Sequence, residues 1–201
     1  MLVCFNLEFR FKMSKIISGI FKGIKLDVLP QENMRPTSCR AKEALFDILQ
    51  FDLKDKIFVD LFAGTGQIGL EALSRGASKC FFVEKSRKSI QILMQNINRV
   101  EKISGNKLNF EVFILDVYKF LDKFLDKFNE KVDILFADAP FGSPLDEKIF
   151  ITSKQIINPN GILIIENESK NKYLEFPSSF CLIKRYTYGR IAFDFYKLKS
   201  E

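Results

Sequence analysis

The sequence predicts an α/β fold: a mostly parallel sheet with helices on both faces, an antiparallel hairpin along one edge and a small β-hairpin ahead of it. Three observations lead there. From Ile57 onward, short apolar runs alternate with amphipathic stretches, which reads as repeated strand–helix units joined by right-handed crossovers. Near the C-terminus two strand-like runs, 180–186 and 191–197, flank Tyr188-Gly189 with no helix between them, so they pair antiparallel. The 201 residues, 47% of them hydrophobic, suffice for one filled core.

The elements follow in order. Residues 1–12 alternate, with Val3, Phe5, Leu7, Phe9 and Phe11 on one side and Asn6, Glu8, Arg10 and Lys12 on the other, the period of a half-buried strand. An upstream extension ahead of a start at Met13 is the other reading of that stretch. Residues 16–21 and 23–28 are two short strands joined near Lys22-Gly23. Residues 30–37 read as loop. Thr37 or Ser38 then caps a helix running to about Gln50, with Ala41, Ala44, Leu45, Ile48 and Leu49 on its apolar face and Arg40, Lys42, Glu43 and Asp47 on its wet side. A buried strand at 57–62, a helix at 67–74 stopped by Gly76, and a strand at 79–83 come next. Ser86 caps a helix whose stripe is Ile90, Leu93, Met94, Ile97 and Val100. A strand at 110–115 precedes a helix striped by Val117, Phe120, Leu121, Phe124, Leu125 and Phe128. A strand at 132–137, a helix at 145–157 and a strand at 162–165 complete the alternation, and all these stripes are core.

Composition narrows the chemistry. The chain has no histidine, which excludes a Ser-His-Asp triad, a His-ligated metal and a histidine base. Cys4, Cys39, Cys80 and Cys181 lie far apart without a C-x-x-C pair, so reduced structural thiols in an intracellular chain are expected, and no metal. No apolar run is long enough to span a bilayer, and Glu8, Arg10 and Lys12 interrupt anything resembling a signal peptide. The net charge of +6 is distributed as +5 over residues 1–42, −3 over 43–169 and +4 over 170–201. Basic ends around a mildly acidic body fit a polyanion held by the ends; solvated lysines alone would look similar.

Two motifs carry function. Gly64, Gly66 and Gly69 in the stretch from Asp60 to Gly69 satisfy G-x-G-x-x-G between a strand and a helix, where backbone approaches a ligand at the carboxyl end of a sheet. Glu84 ends the next strand, where an acid can accept both ribose hydroxyls, and Asp116 ends the third. A nucleoside-containing cofactor follows. A nicotinamide enzyme shares this much but would also need a proton-handling residue, commonly histidine or a Tyr/Lys pair, and histidine is absent. The second motif, Asp138-Ala139-Pro140-Phe141, favours another chemistry. The Asp138 carboxylate and the Ala139 carbonyl can accept both hydrogens of an exocyclic amine, and Phe141 can stack on the base, worth roughly 1–3 kcal/mol. Such a base has to be unstacked or flipped first.

The chain resembles the RsmD family, bacterial 16S ribosomal RNA guanine-N2 methyltransferases, over Lys15 to about Leu198. The resemblance rests on Ile16-Ile17-Ser18-Gly19-Ile20-Phe21-Lys22-Gly23; on Arg35-Pro36-Thr37, Arg40 and Glu43-Ala44-Leu45-Phe46-Asp47-Ile48-Leu49; on Asp60 to Gly69 followed by Leu70-Glu71-Ala72-Leu73-Ser74-Arg75-Gly76-Ala77; and on Tyr188-Gly189 before a strand. The family usually has Asp-Pro-Pro-Phe or Asp-Pro-Pro-Tyr where this chain has Ala139. The carbonyl is retained, and the lost φ restriction is worth about 0.4–1 kcal/mol.

The resemblance implies a class I, Rossmann-like methyltransferase with a seven-stranded sheet, and S-adenosylmethionine as cofactor without metal. It divides the chain into a possible extension at 1–12, an RNA-contacting hairpin and helix at 13–50 and a cofactor-binding domain at 51–201. It implies that Asp60, Phe62, Ala63, Gly64, Thr65, Gly66 and Gly69 surround the methionine part, with Arg35 and Thr37 nearby. Glu84, with Lys85 beside it, takes the ribose, and Asp116 and Val117 the adenine. Asp138, Ala139, Pro140 and Phe141 hold the target amine. Lys15, Lys22, Lys25 and Arg40 contact 16S rRNA in the small ribosomal subunit, with Lys184, Arg185 and Arg190 as weaker candidates. A cytoplasmic monomer is the corresponding expectation. A DNA adenine-N6 methyltransferase, and an RNA-binding assembly factor whose activity has decayed, remain alternatives.

Overall fold

This computed structural model describes residues 12–29, 39–127, 131–139, 147–172 and 179–199. The expected strand before Lys12, the loop at 30–37 and the Thr37 or Ser38 cap lie outside them. A two-stranded hairpin, β1 (Lys12–Lys15) and β2 (Lys25–Val28), precedes helix α1 (Cys39–Ile48). Then come β3 (Ile57–Leu61), α2 (Gln67–Ser74), β4 (Lys79–Val83), α3 (Arg87–Ser104), β5 (Phe110–Phe113), α4 (Val117–Lys127), β6 (Val132–Ala137), α5 (Glu147–Ile156), β7 (Ile157–Glu168), β8 (Phe180–Tyr188) and β9 (Ile191–Leu198). The large sheet has seven strands in the order β5-β4-β3-β6-β7-β9-β8. The first five are parallel, and β9 runs antiparallel between β7 and β8.

Alternation along the central strands explains the layers. Phe58, Phe82, Ile134, Phe136 and Ile164 face one side, where Leu45 and Phe46 of α1, Leu70 of α2 and Leu93, Ile97 and Val100 of α3 cover them. Val59, Leu61, Phe81, Leu135 and Leu163 face the other, beneath Phe120, Leu121 and Phe124 of α4 and Ile149 and Phe150 of α5. With no tryptophan, phenylalanines do the space filling: Phe81 meets Phe124 edge-on at 5.5 Å, and Phe150 meets Tyr196 at 5.1 Å.

Four expectations change. The run 16–21 is not a strand. Ile16 and Phe21 are buried because they plug a loop against the body, and Gly19 turns that loop at φ +81°. The first strand is β1 instead, paired Met13 to Asp27 and Lys15 to Lys25. Lys42 is not on the wet side of α1; it is 2% exposed, and its Nζ donates to the Lys15 carbonyl at 2.9 Å. It lies 3.4 Å from the fully buried Glu71, which balances its charge. Strand β7 begins five residues early, at Ile157, because Asn158-Pro159-Asn160-Gly161 passes through the sheet as a bulge: Val132 pairs with Ile157 and Ile134 with Ile162. β5 stops at Phe113, two residues short of the expected end.

Glu71 fastens the hairpin loop to α2. Its two oxygens accept the Ile17 N–H at 2.7 Å and the Ser18 N–H at 2.9 Å, and Arg75 Nε donates to it at 2.9 Å. The Ser74 hydroxyl accepts the Phe21 N–H at 3.0 Å, and the Ser74 carbonyl accepts the Ile20 N–H at 2.8 Å. A Cβ on Gly19 would stand 1.9 Å from that carbonyl, so only glycine permits this docking.

Candidate active site

Strand order reverses between β3 and β6: the chain moves outward from β3 through β4 to β5, then returns to β6 on the opposite side. In open α/β sheets ligands bind at this switch point, outside the carboxyl ends of the strands. The glycine loop and the Asp138-Ala139 part of the second motif arrive there. Leu61 pairs with Ala137, so the glycine loop after β3 and Asp138 after β6 leave the sheet side by side.

The glycine loop is sharply folded. Phe62 has φ +65°, Gly64 +53° and Gly66 +83°. Gly66 forms the N-terminal cap of α2 without a side-chain partner, and a Cβ there would lie 2.2 Å from Leu93 Cδ1. Gly69 is helical, but a Cβ on it would meet the Phe82 ring at 2.2 Å and Cys80 Sγ at 2.7 Å, so it sets the closeness of α2 to the sheet.

Carboxylates hold this loop through backbone amides. Asp60, 2% exposed, accepts the Gly69 N–H at 2.9 Å, satisfying one of the open amides of the first turn of α2. Glu84 accepts the Gly64 N–H on one oxygen at 2.9 Å and the Ser86 N–H on the other at 2.7 Å. Ser86 caps α3 by accepting the Ser89 N–H. Asp116 accepts the Tyr118 N–H at 3.1 Å and starts α4, whose Val117 is buried. Thr65 is buried, and Lys85 is exposed beside Glu84.

The electrostatics of the rim are distinctive. Burial pushes Asp60 up to about 8, opposed by the Gly69 N–H and reinforced by the charges of Asp138 and Glu84. Burial pushes Asp138 up to about 7; its carboxyl is enclosed although the residue as a whole stays half-buried. Such a cluster favours a cationic occupant rich in donors. S-adenosylmethionine, with its sulfonium, ammonium and ribose hydroxyls, fits this description. A carboxylate has about four acceptor positions, of which Glu84 uses two on backbone amides, leaving capacity for two hydroxyls. Among the described residues no group of His, Cys, Asp or Glu is arranged to hold a metal ion, and no helix is long and apolar enough to cross a membrane.

The structure therefore brings Asp60, Phe62, Ala63, Gly64, Thr65, Gly66, Gly69, Glu84, Asp138 and Ala139 to one rim. Arg35, Thr37, Pro140 and Phe141 lie outside the described residues. Lys15, Lys22, Lys25 and Arg40 are all exposed, with Lys15 and Lys25 opposite one another on the hairpin. Arg185 differs from its neighbours: it donates to the Glu168 and Asn171 carbonyls and pairs with Asp194 at 3.5 Å, which makes it a strand-edge tie. The sequence motifs assign no role to Glu71 or Asn96. Both are polar residues inside apolar helical stripes, and that interruption is the signal that marks them.

Comparison with known proteins agrees with the fold. A family profile described as conserved hypothetical protein 95 matches residues 14–197. A Haemophilus influenzae protein named ribosomal RNA small subunit methyltransferase D is 33% identical over 91% of this chain and 93% of its own length. An Escherichia coli structure provisionally assigned as a methyltransferase superposes with a TM-score of 0.77 at 27% identity, covering 94% of this chain and 100% of that one. A Thermus structure of a hypothetical protein superposes at 0.76 with 26% identity, covering 92% and 99%. The chain belongs to this conserved hypothetical protein 95 family, the RsmD family that its motifs resemble.

Proposed function

We propose that this chain methylates the exocyclic N2 of a guanine in 16S ribosomal RNA of the small subunit, using S-adenosylmethionine and no metal. The observation that carries the reading is the position of Asp138, an enclosed carboxyl one strand away from a glycine loop suited to a nucleoside cofactor. The curated relatives' names support ribosomal RNA as the substrate.

When bound, S-adenosylmethionine supplies an electrophilic methyl group. Asp60 and the loop from Phe62 to Gly66 surround its methionine part, Glu84 takes the ribose, and Asp116 with Val117 borders the adenine. Arg35 and Thr37 help hold the cofactor or the substrate. The Asp138 carboxylate and the Ala139 carbonyl accept the two amine hydrogens of a flipped guanine, and Phe141 stacks on its ring beside Pro140. That grip turns the nitrogen lone pair away from conjugation with the ring. Alignment of this kind can contribute roughly 7–11 kcal/mol. As nitrogen gains the methyl carbon it must lose one proton, and a carboxyl near 7 is matched to take it at neutral pH. The missing histidine is no obstacle to such a transfer. Segment 13–50 grips RNA through Lys15, Lys22, Lys25 and Arg40, and segment 51–201 holds the cofactor.

The test is transfer of label from radiolabelled S-adenosylmethionine to small subunits lacking the modification. Label in 16S rRNA from wild type, and its loss with Asp138→Ala, are expected. An unlabelled rRNA refutes the substrate, and undiminished labelling by Asp138→Ala refutes the role of Asp138.

A further inference from the structure

Helix α3 touches both the hairpin and the glycine loop, and one side chain makes the join. Asn96 is fully buried between Leu93, Ile97 and Val100 of the apolar stripe. A buried amide is costly unless its groups are paired. Here Asn96 Oδ1 accepts the Asp27 N–H at 2.8 Å, and Nδ2 donates to the Asp27 carbonyl at 2.9 Å. The same Nδ2 donates to the Thr65 carbonyl at 3.0 Å.

The two ends of this bridge are functionally distinct. Asp27 lies in β2, where Met13 is its partner across the hairpin; its N–H and carbonyl turn outward, so Asn96 acts in place of a third strand. Arg99, less than one turn further along α3, donates to the Lys25 carbonyl at 3.1 Å and pairs with the Asp27 carboxylate. Thr65 sits between Gly64, whose N–H is held by Glu84, and Gly66, against which Leu93 of α3 packs. A shift of β2 must therefore move Asn96 or break its bonds, and a shift of the loop must do the same.

We propose that Asn96 is a positioning residue that couples RNA engagement by the hairpin to the shape of the cofactor loop, so that each ligand tightens the other. It acts through the Thr65 carbonyl and the Asp27 backbone. The inference rests on the reading of the hairpin as the RNA grip. Coupling between binding sites is reciprocal, so either ligand can report it.

Equilibrium dialysis of labelled S-adenosylhomocysteine, alone and with saturating small subunits lacking the modification, reads the coupling. In wild type the subunits are expected to lower its Kd at least about fivefold, the lower end of ordinary couplings. In Asn96→Ala that factor is expected to fall below about twofold. Arg99→Met loosens the same strand without touching Thr65, and is expected to weaken subunit binding while retaining most of the coupling. A merely structural role for Asn96 would destabilise the fold without separating these factors. Equal loss in both variants, or an unchanged factor in Asn96→Ala, overturns the proposal. Should Asn96→Ala fail to fold, amide exchange in wild type decides without RNA. Saturating S-adenosylhomocysteine is expected to slow exchange of the Asp27 N–H, and an unchanged rate overturns the coupling. Wild type that methylates rRNA without coupling refutes this inference alone; wild type that methylates nothing refutes the proposed function, and the coupling falls with it.

Discussion

Replacing Glu71 with glutamine tests how the hairpin is held. The side chain keeps its shape and loses its charge in a fully buried position. Lys42, 2% exposed and 3.4 Å away, loses the Glu71 charge beside it, and so does Arg75, which keeps Asp47 at 3.8 Å. Breaking a buried ion pair from one side costs about 3–5 kcal/mol. A glutamine amide also presents a donor where the Ile17 or Ser18 N–H needs an acceptor, and an unsatisfied buried N–H costs about 1–3 kcal/mol. These terms overlap, so about 3–5 kcal/mol is the expected loss, a large part of an ordinary total of about 5–15. For a domain of this size that corresponds to a fall in Tm of roughly 6–20 °C. Thermal unfolding followed by circular dichroism reads it. In the double variant Glu71→Gln/Lys42→Met, removing the buried cation together with the anion is expected to recover part of the loss. A fall in Tm below about 3 °C would show that the buried pair does not hold the hairpin loop.

Three further outcomes are expected. Gly69→Ala places a methyl 2.2 Å from the Phe82 ring, so overpacking should cost about 1–3 kcal/mol in denaturant unfolding; an unchanged midpoint would mean α2 is free to move away from the sheet. Asp60 at about 8 and Asp138 at about 7 are both raised above their unfolded values, so the empty protein binds more protons folded than unfolded. Its stability should fall as pH rises from about 4 towards 8, and binding of the cationic S-adenosylmethionine should release protons at neutral pH, read by calorimetry in buffers of different ionisation enthalpy; proton uptake would contradict it. Asp138→Asn should lower the single-turnover rate at saturating S-adenosylmethionine by about 10²–10⁴, and an undiminished rate would remove Asp138 from the chemistry.

The strand–helix alternation was legible because its signals are local. Ser86 accepts the Ser89 N–H as its position before an amphipathic run suggests, and α2 lies between Gly66 and Gly76 as the glycines mark it. The rim was legible for a related reason: parallel strands place whatever follows them at one edge, so Asp60, Glu84 and Asp138 needed no long-range information. What was not legible depends on contacts between residues from about 30 to 70 positions apart. Ile16 and Phe21 read as strand because apolar content alone cannot distinguish a strand from a loop pressed into a core. Lys42 read as wet because its counterion, Glu71, comes from another helix. Asn96 interrupts a stripe visibly, but its partners Asp27 and Thr65 become neighbours only in the folded chain.

The most direct test is nucleoside mass mapping of 16S rRNA after incubation of the purified protein and S-adenosylmethionine with unmodified small subunits. The expected product is a single N2-methylguanosine at one site, absent when Asp138→Ala replaces wild type. A methyl group on adenine N6, on another guanine atom, or on no nucleoside at all would contradict the reaction assigned to this site.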